Sequence, residues 1–187
     1  MGAFVSVYRC KVLKVKLHMV SSTTANAKAR PRPVRLTGEI ARSALTPRAR
    51  DDVFPFFADA ANLARLTPEW LKFRILTTPP IEMREGAVID YRISLFGIPM
   101  YWRTLITVWE PPNRFVDEQL RGPYRYWRHE HTFDEVEGGT VLGDRVEYAV
   151  PFGALTDRLF VSGNLRRIFD HRARVMKELH GAVPVRV

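Results

Sequence analysis

The feature that most constrains the fold is a change of hydrophobic period near residue 156. Before it, apolar and polar residues alternate in short runs, each closed by a turn signal. After it, apolar residues recur at helical spacing. The runs are "FRILTTPP", "AVIDYRISLFG", "MYWRTLITVWE", "RFVDEQL", "YRYWRHEHTFDEV" and "TVLGDRVEYAV". Alternation bounded by Gly, Pro and Asn predicts strands, and the short loops between them predict an antiparallel meander. The "EGG" at 137–139 is a tight hairpin signal, because glycine accepts positive φ. An earlier run, "VRLTGEIARS", raises the expected count to about seven strands.

Past the change of period, Thr156 is a cap candidate for one long helix. Leu165, Ile168, Phe169, Arg172, Val175, Met176 and Leu179 fall on one face, with most charges elsewhere. Gly181 is a natural stop, and Gly163 marks a kink or a close contact. Two shorter helical pieces precede the meander. "TPRARDDVFPFFAD" has Thr46 as cap, Pro47 in its first turn and Pro55 as a break or kink. "DAANLARLTPEWL" ends near Pro68. A long amphipathic helix after a seven-stranded meander must lay its apolar stripe on the concave side of the sheet. The expected class is α+β.

Charge decides the partner class. The net charge of +9 suggests nucleic acid until it is located. Residues 1–38 hold eight basic groups and no carboxylate, and removing those eight from 29 leaves 21 basic against 20 acidic groups. A near-neutral remainder without a basic stripe does not predict nucleic-acid binding. Residues 1–34 read as a basic extension with a linker-like "SSTTANAKARPRP", and Met19 is an alternative start. Residues 35–187 read as one domain. The lone Cys10 leaves no intrachain disulfide and no cysteine-cluster metal site. No run approaches the roughly 18 apolar residues of a membrane span, so a soluble, cytoplasmic protein is expected. Organelle targeting by the basic segment stays open.

Three stretches carry a resemblance to a known superfamily. "DVFPFFADAANLARLTPEWLKFRIL", the run from "GAVIDYRISLFG" to "YRYWRHEHTF", and "YAVPFGALTDRLFV" resemble the ligand-binding and coenzyme Q-binding START-like branch of the SRPBCC superfamily, over about residues 36–180. The resemblance implies a helix-grip fold, with a seven-stranded antiparallel sheet curved around the long C-terminal helix. It also implies a cavity between sheet and helix for a hydrophobic small molecule: a quinone, a lipid or an aromatic polyketide.

Strand parity supplies candidates for the walls of that cavity. In "YWRHEHTF", Trp127, His129, His131 and Phe133 share a face, with Tyr126, Arg128, Glu130 and Thr132 on the other. Across the hairpin, Leu142, Asp144, Val146 and Tyr148 point the same way, bringing Asp144 near the histidines. Tyr91, Trp102 and Trp109 are candidate aromatic walls, Arg103 a further polar anchor, and Phe169 and Arg172 the contacts from the helix. Three roles compete for the polar set. Metal binding needs three or four ligands, and no cysteine or further acid is seen on this face, so no metal or other cofactor is expected. General acid–base catalysis by His129 or His131 with Asp144 would fit a cyclase or dehydratase. Polar anchoring of a ligand without catalysis is the favoured role, with a plain structural network satisfied internally close behind it, and a quinone chaperone is a third function class from the resemblance. Stable membrane insertion is not expected. The basic outer face of "NLRRIFDHRARVMK" leaves transient contact open.

Overall fold

The computed structural model describes residues 34–185. The reading of the basic extension therefore falls outside the described residues, apart from Val34. Strand β1 spans Gly38–Thr46, helix α1 Arg50–Phe57 and helix α2 Leu63–Leu66. Five further strands in the meander follow a two-residue β2, Arg74–Ile75: β3 Val88–Leu95, β4 Ile98–Glu110, β5 Arg114–Arg121, β6 Tyr126–Val136 and β7 Gly139–Ala149. Helix α3, Ala154–Thr156, runs through a π turn, Asp157–Val161, into the long helix α4, Ser162–His180. A short β8, Val183–Val185, ends the order.

All eight strands form one sheet in the order β2-β3-β4-β5-β6-β7-β1-β8. This is the expected helix-grip arrangement, with one strand more than the seven read from the sequence. The extra strand is "VPV", which pairs Leu45 with Val183 and Ser43 with Val185. It is too short to show alternation, and its proline is tolerated because β8 lies at the sheet edge. The β6–β7 hairpin turns through Glu137 and Gly138, with Val136 opposite Gly139. Gly139 is required there: a Cβ would stand 1.9 Å from the Thr46 carbonyl oxygen.

Two local expectations change. Thr46 does not cap α1; it ends β1, where its hydroxyl donates to the His180 carbonyl at 2.5 Å. The helix starts four residues later, with Asp51 and Asp52 in its first turn complementing the positive end of the dipole. Pro55 lies inside α1 without ending it. Only the amide that would reach the Asp51 carbonyl is lost, and the Ala58 amide still bonds to Phe54. Thr156 likewise sits within the helical run, which enters at Ala154 after Gly153. The irregularity expected at Gly163 is the π turn just before it, and a Cβ on Gly163 would meet nothing within 4 Å.

Helix α4 buries Leu165, Phe169, Arg172 and Met176, a stripe at spacings of four, three and four. It stops at Gly181 (φ 66°), whose amide bonds to Lys177 while that of Ala182 bonds to Met176. Leu165 and Phe169 join Ile40, Val146, Tyr148 and Val150 in one apolar cluster. Met176 joins Val53, Phe54, Leu66, Phe115, Phe133 and Leu142 in another. Arg172 stands between the two. It is the one charge in the stripe, and the site forms around it.

Candidate functional site

The inward parity of three neighbouring strands breaks at the same level. On β5 Asp117 follows Phe115, on β6 the two histidines lie between Trp127 and Phe133, and on β7 Asp144 lies between Leu142 and Val146. Antiparallel register sets Asp117 opposite His129 and His131 opposite Asp144. Together with Arg172 from α4, five polar side chains meet in an otherwise apolar interior.

Their contacts form a closed network. His129 Nε2 lies 2.9 Å from Asp144 Oδ1, and His131 Nδ1 lies 3.0 Å from the same oxygen. Arg172 Nε donates to Asp144 Oδ2 at 2.8 Å, and its Nη2 lies 3.2 Å from His131 Nδ1. On the other side Asp117 Oδ2 stands 3.2 Å from His131 Nε2 and 3.6 Å from His129 Nδ1. The imidazole centroids are 3.8 Å apart, and Phe115 stacks on His131 at 4.1 Å.

Electrostatics follow from these distances. Burial by itself would raise the Asp144 carboxyl, but the Arg172 charge and the bonds from both histidines outweigh it and hold it well below the usual range. Asp117 is also held low: burial is opposed by its bond to His131 and by the charges of His129, His131 and Arg172. His129 is pushed down from 6.5, first by burial and then by the neighbouring imidazole. Two carboxylates, one guanidinium and a neutral His129 are the resulting state near pH 7.

This network forms one wall of a partly open cavity of about 180 Å³ between the sheet and α1, α2 and α4. The cavity is smaller than the roughly 300–1,000 Å³ typical of drug-sized ligands. Apolar cavities of about 150 Å³ already hold a benzene ring. Tyr91 and Trp102 stack at 5.7 Å and line the cavity from β3 and β4, further along the same sheet, and Trp102 meets Trp127 edge-on at 5.2 Å. The Trp102 indole donates to Thr104 Oγ1 at 3.0 Å, which fixes the ring.

Of the residues singled out in the sequence, Tyr91, Trp102, Trp127, His129, His131, Phe169 and Arg172 line this cavity. Five do not. Arg103 has the opposite parity from Trp102 and Thr104; it lies on the outer face, bonded to Asp90 at 2.7 and 2.8 Å. Trp109 lies beyond a register shift between Ile106 and Val108 and packs on Phe54 and Phe115. Phe133 is buried against Phe54 and Phe57. Tyr148 is buried in the second apolar cluster and donates its hydroxyl to Asp157 at 2.8 Å. Asp144 stands behind the histidines, on the wall of a second cavity of about 150 Å³.

Asp117 is the residue the sequence reading missed, and it overturns the statement that no further acid shares the histidine face. "RFVDEQL" is apolar on both parities, through Phe115 and Val116, so alternation could not assign Asp117 a side. The available signal was the pairing of "RFVDEQL" with the next strand, which puts its one aspartate level with the histidines. Tyr124 and Thr104 are further polar lining residues that the sequence reading did not name.

Comparison with known proteins agrees with this architecture. Among solved structures, protein CV1439 from Chromobacterium violaceum superposes with TM-score 0.60 at 16% identity, over 76% of this chain and 96% of that one. The di-domain ARO/CYC protein StfQ of the steffimycin biosynthetic pathway gives TM-score 0.60 at 16% identity, over 78% of this chain and 52% of that one. The ginseng major latex-like protein 151 from Panax ginseng gives 0.55 at 13% identity, over 78% and 99%. Identities this low establish the fold alone. No curated protein sequence matches the chain. No helix among the described residues is long and apolar enough to cross a membrane. The family model for polyketide cyclase / dehydrase and lipid transport proteins matches residues 46–177. That match spans most of the chain, which therefore belongs to this family of the SRPBCC superfamily.

Proposed function

We propose that the protein binds an apolar, ring-containing small molecule, with the ring between the Tyr91–Trp102 wall and α4 and a polar end on the Asp117–His129–His131–Arg172 wall. One observation carries this reading: a cavity with largely apolar walls in which Asp117 and His129, paired across β5 and β6, cluster with His131 and Arg172. Such a cluster orients a ligand, since apolar burial supplies affinity and a few fixed polar groups choose its direction. A quinone, or a polyketide of one or two rings with a carbonyl or hydroxyl, matches both the cavity's size and its donors. Longer lipids would extend through the open side.

An apolar ligand also needs a route. Phe96 at the β3–β4 turn meets Phe160 at a ring distance of 6.1 Å. Phe96, Phe152, Leu155, Leu159 and Phe160 are all exposed, beside the exposed Arg158. We read this as an apolar rim that takes ligand from a lipid surface, the arginine favouring anionic headgroups.

Titration with naphthoquinones, fatty acids and aromatic polyketides tests the binding reading through tryptophan fluorescence. Saturable quenching by at least one class is expected, and no response to any class contradicts it. A catalytic role has one specific support: burial holds His129 below its ordinary value, and with its Nε2 proton directed to Asp144 at 2.9 Å its Nδ1 would be free to accept a proton near the cavity. A cyclase or dehydratase of this kind loses turnover in His129→Gln while ligand still binds.

A further inference from the structure

We propose that Asp117, His129 and His131 form a site for one divalent transition-metal ion of the zinc or ferrous class, open toward the cavity. The argument begins with proton counting. All four ring nitrogens of the two histidines lie 2.9–3.6 Å from a carboxylate oxygen. Carboxylates only accept, and a neutral imidazole offers one N–H. With both imidazoles neutral, two of the four contacts set a lone pair against an anion. Arg172 Nη2, 3.2 Å from His131 Nδ1, can answer one of them, and the lone pair of His129 Nδ1 is left facing Asp117.

Geometry says where a positive group belongs. His129 Nε2 and His131 Nδ1 both face Asp144 Oδ1, at 2.9 and 3.0 Å. With their protons there, His129 Nδ1 and His131 Nε2 turn lone pairs inward toward Asp117 Oδ2, at 3.6 and 3.2 Å. Metal bonds of 2.0–2.1 Å in a tetrahedron put neighbouring ligand atoms about 3.4 Å apart. The two contacts to Asp117 bracket that edge, and one ligand atom from each of the three residues falls within 4.8 Å of the others.

The surroundings have the layout of a site that holds an ion while leaving a position free. Asp144 orders both histidines through their outer nitrogens, the role that carboxylates play behind metal-bound imidazoles. Arg172 in turn neutralises Asp144 through Nε at 2.8 Å. Asp117, His129 and His131 line the cavity, and Asp144 does not. Three protein ligands with a fourth position facing a cavity is the pattern of an open metal site. Without the ion, His131 can instead carry its proton on Nε2 toward Asp117 and accept from Arg172 Nη2 at 3.2 Å. Loading then moves that proton from Nε2 to Nδ1, toward Asp144 Oδ1 at 3.0 Å. If the cavity takes the ring-bearing ligand proposed above, the ion would bind its carbonyl or enolate oxygen; that clause rests on the binding reading, and the metal site does not.

The test uses the full chain, stripped by chelator and titrated calorimetrically with Zn²⁺ alone, with no organic ligand present. One ion per chain is expected at a Kd below about 1 µM, with Asp117→Asn weakening it at least tenfold and Asp144→Asn by about 10- to 100-fold. Absent binding, or binding unchanged in Asp117→Asn, overturns the proposal. Should a variant fail to fold, ring-nitrogen NMR of the wild type decides. Zn²⁺ must move the His129 and His131 resonances and leave His171 and His180 in place; the reverse pattern refutes the site. Because no organic ligand is present, failure here leaves the cavity reading standing, and failure of every organic ligand leaves this one standing.

Discussion

Arg172 and Asp144 form an ion pair with Nε 2.8 Å from Oδ2, at the one point where the apolar stripe of α4 is interrupted. Both side chains are largely buried, so each compensates a charge that would otherwise stand alone in the interior. Removing one partner strands a buried charge at a cost of about 3–5 kcal/mol. Arg172→Met should lower unfolding free energy by about that amount. The Asp144→Asn/Arg172→Met double variant should recover part of the loss. Urea denaturation of the four proteins measures this, and a double variant as unstable as the sum of the singles would contradict the pairing.

The histidines give stability a defined pH dependence. His129 is held below its ordinary 6.5, so at mildly acid pH the unfolded chain binds a proton that the native state refuses. Stability should be level above about pH 7 and fall as pH drops through about 6.5. His180, lowered by burial and then by Arg48 and Arg65, contributes in the same sense. Asp117 and Asp144 behave in the usual carboxylate way: their lowered values add stability that is lost only as pH falls below about 4. Replacing His129 by Gln should flatten the slope between pH 7 and 5 in proportion to its share. An unchanged slope would mean that His129 is not held neutral.

Cavity occupancy can be blocked from α2. Leu63 lines the cavity from α2 and is only half-buried, so Leu63→Trp fills space with little overpacking. Ligand affinity should fall at least tenfold with the thermal midpoint almost unmoved. Equal affinity in the variant would place the ligand elsewhere.

Arg103 supplies the contrasting substitution. Its guanidinium pairs with Asp90 on the outer face of the sheet, holding that carboxyl down at about 2 through the Arg103 hydrogen bonds. Arg103→Ala should leave ligand affinity unchanged, and any stability loss should shrink in high salt. A drop in affinity would show that the outer face communicates with the cavity.

The exposed apolar rim predicts vesicle binding. Phe160→Ser and Phe96→Ser should reduce co-sedimentation with anionic vesicles without altering the fold. If both variants sediment like the wild type, the rim is not the lipid contact.

The architecture was legible because its signals are long. The α4 stripe from Leu165 to Met176 spans three turns, and the alternation of β6 extends through "WRHEHTF", enough to place both histidines inward. What escaped was short or lay at a crossing of elements. Three residues of β8 give no period. Asp117 sits where both faces of β5 are apolar, so only pairing with β6 assigns it a side. Arg103 was misplaced for the opposite reason: its strand's parity was readable from Trp102 and Thr104, but its charge suggested an anchor. Trp109 and Phe133 point inward as expected, yet helix α1 covers them with Phe54 and Phe57, a contact that no local pattern encodes.

The central claim, that an apolar ligand occupies the space between the Tyr91–Trp102 wall and α4, is tested most directly by the indole N–H resonances of the four tryptophans. Trp102 and Trp127 line the cavity, Trp109 packs against the neighbouring apolar cluster, and Trp70 is exposed outside the cavity. Titration with a naphthoquinone should shift the Trp102 and Trp127 signals saturably, in equal proportion, and leave Trp70 where it is. Shifts confined to Trp70, or none in Trp102 and Trp127 at any concentration of any ligand class, would contradict the account.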